Sequence, residues 1–292
     1  MNYISDFRKR HLIDKKANLS SIQTSLEGAA EANKIAYVYI SEIEAKDDSE
    51  HFQLLSYTNL IGRIYEQVEG MLATIAINCP TSSEALGRVV IEGSINLTYM
   101  AMFGNEKTLL AFFSSWVTEH QRKLNEWSEN IKSKEYSERV QPMIAERMAV
   151  VDIYNEFVQQ GINKFGADVG EFRNTWPKSI YKRFEAIGKE DAYYENYHRL
   201  SGASHITAED TISWLLSLNF DDQQRVKLAK EAWAYSIMMA RLSSLFFIDA
   251  VAASCIHFGM RSGTELERMR ELKENIIRSV QDIAKSAGVP MI

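Results

Sequence analysis

Residues 84–103 read EALGRVVIEGSINLTYMAMF, and the run is apolar almost all the way round a helix. A helix without a solvated face is central in its bundle, so other helices must surround it. Two charges interrupt the run, Arg88 and Glu92, and their i,i+4 spacing places them on one face. A charged pair on a buried helix is costly unless it is fully hydrogen-bonded. It is read in two ways: as a structural ion pair between helices, or as a guanidinium aimed at a ligand anion and oriented by a carboxylate.

Long helical patterns extend on both sides. Upstream, a helix begins after Asn18, with Ser20 and Gln23 at capping-box spacing and Ile22, Leu26, Ala30, Tyr37 and Ile40 at the helical period. A second covers about His51 to Asn78. Pro80 ends it, and Thr81 with Glu84 forms a box that opens the apolar helix. Downstream, Glu106 to Lys132 and Ser137 to Lys164 read as amphipathic helices. A loop with Gly166 and Gly170 follows, then a short helix with Pro177 in its first turn and Gly188 at its end. Another helix begins near Asp191, a long one covers about Gln223 to Phe258, and a last one opens with Thr264 and Glu267. Its stripe of Leu266, Met269, Leu272, Ile276, Val280 and Ile283 can pack on the bundle or on a partner chain. No segment alternates with period two. The expected fold is all-α: a bundle of long helices, with an N-terminal arm over 1–50, a main bundle over 51–260 and an amphipathic C-terminal helix over 261–292.

Composition agrees. The 292 residues include only 4 prolines and 14 glycines, so turns are few and elements long. The net charge of -6 supplies no general field for nucleic acid or an anionic membrane, although a local basic pocket stays open. Two cysteines, Cys79 and Cys255, make neither a disulfide framework nor a zinc site. The start, MNYISDFRKRHL, has no apolar stretch followed by a cleavage site. The most apolar run, SIMMARLSSLFFIDAVAASCIHFGM, carries Arg241 and Asp249, which argues for a core helix rather than a membrane span. A cytoplasmic protein without a membrane partner is expected.

The chain has no Gly-rich phosphate loop, dinucleotide fingerprint, paired-His zinc motif or nucleophile elbow. No cofactor and no metal ligands are expected. The densest chemistry lies in YHRLSGASH, residues 197–205. Tyr197, Ser201 and His205 fall at i, i+4 and i+8 and share a stripe if the helix runs through Gly202. A phenol, a hydroxyl and an imidazole in a row can relay a proton or hold a hydrogen-bond chain.

The same segment reads Arg199-x5-His205, which resembles the Arg-x(4–6)-His signature of the HEPN superfamily of helical ribonucleases and toxins. On a straight helix these two residues do not share a face, so that reading needs a break at Gly202 or a site assembled across a dimer. It also departs from the pattern at Leu200, where a polar residue is usual. A broader resemblance covers roughly Tyr57 to Phe258. GRVVIEGSINLTYM, WPKSIYKRFEAIG and YYENYHRLSGASHIT resemble the bacterial domain-of-unknown-function family numbered 5677, which pairs an Arg-x3-Glu helix with a later Tyr-x3-Ser-x3-His segment. That resemblance implies an all-helical fold and no established activity, and it picks out Arg88, Glu92, Tyr197, Ser201 and His205.

Two functions follow as expectations. In one, the chain is a HEPN-like, metal-independent RNA-cleaving enzyme of the toxin or phage-defence kind. His205 is the acid or base, Arg88 or Arg199 carries phosphoryl charge, and Glu92, Tyr197 and Ser201 orient them. Its partners are RNA and a second copy or protein bound through the amphipathic terminal helices. In the other, the same groups form a buried network that fixes helix register in a non-catalytic binding module.

Overall fold

The computed structural model describes residues 9, 11–12, 18–165, 175–205, 208–261 and 263–288, with the side chains of 203–205 and 208–210 outside the description. Among the described residues there is no strand, and the chain is all-α. The helices are α1 (Leu19–Ser41), α2 (Asp48–Ala76), α3 (Pro80–Phe103), α4 (Glu106–Ile131), α5 (Ser137–Lys164), α6 (Ile180–Ala186) and α7 (Glu190–Ala192). A π-helical segment, Tyr193–His198, runs directly into α8 (Arg199–His205). The last three are α9 (Ala208–Ser217), α10 (Asp222–His257) and α11 (Thr264–Ala287). The chain divides into two compact units.

The larger unit comprises Met1–Glu44, Tyr57–Met102 and Ser179–Ile292. Within it α10 packs against α1 and α11, and α11 also meets α1. The expected apolar positions of α1 are only partly the buried ones. Ile22 and Ile40 are buried, but Tyr37 faces solvent and the contact face is small: Ser25, Gly28, Ala29, Ala32 and Ala36. Small side chains let two backbones approach, so the packed stripe is not the bulky one. On α11, Met269, Leu272, Ile276 and Ala284 are buried, so its stripe packs on its own unit. Arg268 of α11 adds a two-pronged pair to Glu31 of α1, at 2.7 and 2.8 Å.

By length and composition α10 could cross a membrane, but 67 % of its most apolar window is buried within the protein. The two charges within its apolar run, Arg241 and Asp249, both have partners there. Asp249 meets Lys189 at 2.8 Å and Lys273. Arg241 donates to the main-chain carbonyls of Ser279 on α11 and Ser21 on α1, pinning both to α10.

Helix α3 is central as its composition demands, with Val90, Ile91, Ile95, Leu97 and Met100 each at most 1 % exposed. Glycine permits the closest approach. A Cβ on Gly87 would stand 2.9 Å from Ser243 Oγ of α10, and one on Gly93 would stand 2.9 Å from Ile64 of α2.

The smaller unit comprises Ala45–Ser56 and Phe103–Lys178. It is built on the α4–α5 hairpin. Asn105 caps α4, its side chain accepting from the amides of Lys107 and Thr108. Phe52, Phe113, Phe157 and Phe165 cluster inside it, with ring centroids 5.7–6.4 Å from that of Phe52.

Three expected capping boxes fall one or two residues out of place. α1 starts at Leu19, so Ser20 lies inside it and Gln23 bonds Glu27 instead. α3 starts at Pro80, which opens that helix rather than closing the previous one, and Glu84 accepts from Ser236. α11 starts at Thr264, with Gly263 in the cap position. Pro177 precedes a short helix that is capped by the Ser179 side chain. A cap needs an extended backbone at one particular residue, and the residue pattern alone does not place it. A complete box stands at Asp221 and Gln224, opening α10.

Candidate functional site

The larger unit brings together residues far apart in the chain. Arg88 and Glu92 project from one face of α3. Tyr197 reaches them from the π-helical segment and is 5 % exposed. Its phenol donates to Glu92 Oε2 at 2.8 Å and accepts from Arg88 Nη2 at 3.3 Å. The Arg88 guanidinium also lies 5.2 Å from the Tyr197 ring centroid, within cation–π range. Burial is the main cause that raises the Tyr197 phenol above its ordinary value. The Arg88 bond opposes that rise and the bond to Glu92 adds to it. Tyr197 is therefore a neutral donor holding a carboxylate, with a cation on its other side.

The surroundings are apolar. Tyr197 packs with Ile91, Ile95, Phe184, Leu200, Met239 and Phe246. Phe184 and Tyr193 stand 5.9 and 5.6 Å from its ring. Such walls strengthen every charge interaction they enclose. Leu200, which departs from the HEPN pattern, is fully buried in this wall and serves packing.

Arg183 was not singled out from the sequence. It sits on α6, is 7 % exposed, and feels the charge of Glu92. Burial pulls its guanidinium down from its ordinary value, and Glu92 is the strongest opposing influence. The one available signal was its place in WPKSIYKRFEAIG, where it looks like one of several surface charges. Asn96 was missed as well. It lies one turn beyond Glu92 on α3, and its buried Oδ1 has no hydrogen-bond partner among the described residues.

The remaining expected residues are arranged as follows. Ser201 lies half-buried on α8, and α8 runs unbroken through Gly202 to His205. The His205 side chain lies outside the described residues. Arg199 is exposed, with its guanidinium 5.0 Å from the Tyr235 ring centroid. Because Gly202 does not break the helix, the six steps from Arg199 to His205 turn by about 240°, and the two occupy different faces. The irregularity lies upstream, in the π-helical segment that carries Tyr197.

A family model matches residues 57–225, more than half of the chain, a span that includes Arg88, Glu92, Arg183, Tyr197, Arg199, Ser201 and His205. The chain belongs to the family of unknown function DUF5677. No curated protein and no solved structure matches it. The DUF5677 match contains both α3 and the Tyr197–His205 segment, so the Arg88–Tyr197–Glu92 contact joins two parts of one family domain. Among the described residues no cluster of His, Cys, Asp and Glu has the make-up of a metal site.

Proposed function

We propose that this DUF5677 chain is an RNA-cleaving enzyme of the HEPN kind, working in the cytoplasm as a toxin or phage-defence effector. One observation carries the reading. Tyr197, placed by a π-helical segment, bonds both Arg88 and Glu92 and stands two turns ahead of His205. π-helical turns inside α-helices are frequent at functional sites. In this reaction His205 takes the proton from a ribose 2′-hydroxyl, the 2′-oxygen attacks the adjacent phosphorus, and the 5′-oxygen leaves with a proton from water, to which His205 returns its own. A 2′,3′-cyclic phosphate and a 5′-hydroxyl result. Arg88 stabilises charge on the phosphoryl oxygens, and Tyr197 and Glu92 hold its guanidinium. Arg199, stacked over Tyr235 on another face, binds RNA outside the reacting centre.

The second reading is a structural network in a non-catalytic binding module. It is favoured by the burial of Tyr197 and by the two partners that occupy its hydroxyl. One experiment separates the two. The purified full chain is incubated with labelled total RNA beside His205→Ala and Arg88→Ala, with helicity followed by circular dichroism. The enzyme predicts cyclic-phosphate products from the wild type and a folded His205→Ala slower by about 10²-fold or more. Intact RNA with wild type, together with lowered melting of Arg88→Ala, assigns the network to structure.

A further inference from the structure

The smaller unit carries an uncovered apolar face. On α5, Ile144, Val151 and Val158 are buried. One position earlier in each heptad, Tyr136, Met143, Val150 and Phe157 recur every seven residues and are each 43–53 % exposed. A seven-residue apolar repeat is the spacing by which one helix packs along another, not the spacing of a patch for a short extended peptide. Ile153, at 63 %, is the most exposed of these large apolar side chains. Beside the stripe, Trp116, Tyr154 and Phe157 line an apolar groove of about 360 Å³ between α4 and α5.

We infer that this face is the dimer interface of the chain, formed by α5 of two copies lying parallel about a two-fold axis. The charges select both the occupant and its direction. By the helical period Glu146 and Arg147 flank the stripe on opposite edges, and both are exposed. A parallel two-fold pair sets Glu146 of each copy opposite Arg147 of the other, twice over. An antiparallel pair sets the Glu146 edges against each other. Arg147 is already held in place, its guanidinium 5.5 Å from the Trp127 ring centroid. The parallel arrangement also brings Ile153 of the second copy to the groove beside Trp116 and Tyr154. The seven large apolar side chains of this face, Trp116 and Tyr154 included, are each 42–63 % exposed, an apolar centre of the kind that a specific interface buries.

The test is the mass of the full chain by light scattering and sedimentation velocity across a concentration series. The wild type is expected at twice 33.4 kDa. Ile153→Glu and Met143→Glu are expected at the single-chain mass with unchanged helicity, since both positions are exposed. Glu146→Arg and Arg147→Glu alone are each expected to weaken the dimer roughly tenfold, and the double exchange to restore it. A wild type that stays monomeric at 100 μM-scale concentrations would overturn the inference, as would a dimer that survives Ile153→Glu. A double exchange no better than either single change would overturn it too, because the paired geometry would then be absent.

Discussion

Tyr197 hands its phenolic hydrogen to Glu92 Oε2 at 2.8 Å, across 105 residues of sequence. This contact, with Arg88 on the other side of the same hydroxyl, turns an i,i+4 charge pair on a buried helix into a three-membered network. Arg88 and Glu92 are half-buried, and their bonds to Tyr197 replace part of the hydration that packing removes.

Removing only that oxygen tests the network. Tyr197→Phe keeps the ring packing and the cation–π contact, but leaves Arg88 and Glu92 without their common partner. The expected loss is about 1.5–3 kcal/mol, the range for hydrogen bonds to charged groups. Urea unfolding followed at 222 nm measures it. Tyr197→Ala should cost more, about 3–5 kcal/mol, because a buried aromatic volume is lost as well.

On the acid side, stability should depend on His257. Its Nδ1 lies 3.0 Å from the Ala101 carbonyl, which can only accept, so Nδ1 carries the hydrogen. Its ring stacks on Tyr57 with centroids 5.2 Å apart. Burial pushes the imidazole below its ordinary value of 6.5, and the Ala101 bond opposes this. Below pH 6.5 the unfolded chain therefore binds a proton that the folded chain resists, and stability falls as pH drops through this range. Unfolding free energies at pH 5, 6 and 7.5 should show the decline. His257→Gln should flatten it while lowering the plateau.

Arg241 should be a stability residue. Its bonds to the Ser21 and Ser279 carbonyls tie α1 and α11 to α10. Arg241→Leu fills much of the space but removes both charge-assisted bonds that clamp α1 and α11, an expected cost of about 1.5–3 kcal/mol. Amide hydrogen exchange should then rise in α1 and α11 before α3. Equal acceleration in all three would show that Arg241 does not hold the outer helices.

Gly87→Ala sets two effects against each other. Alanine favours a helix over glycine by about 1 kcal/mol. The new methyl would meet Ser243 Oγ at 2.9 Å, Met71 Sδ at 3.4 Å and Leu200 Cδ1 at 3.6 Å, contacts on three sides in a packed core. Overpacking of this kind costs about 1–3 kcal/mol, so net destabilisation is expected. A rise in melting temperature would show that Ser243 can rotate away freely.

Much of the architecture was legible because it rests on local pattern. The spans expected for α4, α5 and α10 lie within one residue of those found, since glycine and polar breaks mark their ends. The caps were less legible, because a side chain caps a helix only when its own backbone is extended. The small-residue face of α1 was hidden by its larger neighbours Leu26 and Tyr37. Within the site, Arg88, Glu92 and Tyr197 could be selected by residue type and spacing. Arg183 could not, because nothing in IYKRFEA separates a buried arginine from an exposed one.

The sequence by itself determined an all-helical chain with a central apolar α3, and it marked Arg88 and Glu92 as charges that α3 could not carry alone. Periodicity and composition act over a few turns, so they sufficed for that. Tertiary structure alone decided that Tyr197 is their partner, that the backbone distortion lies at Tyr193–His198 and not at Gly202, and that α5 keeps a second apolar face uncovered. Those outcomes depend on which helix faces meet across more than a hundred residues of chain. Helical period reports a face, but not what packs against it.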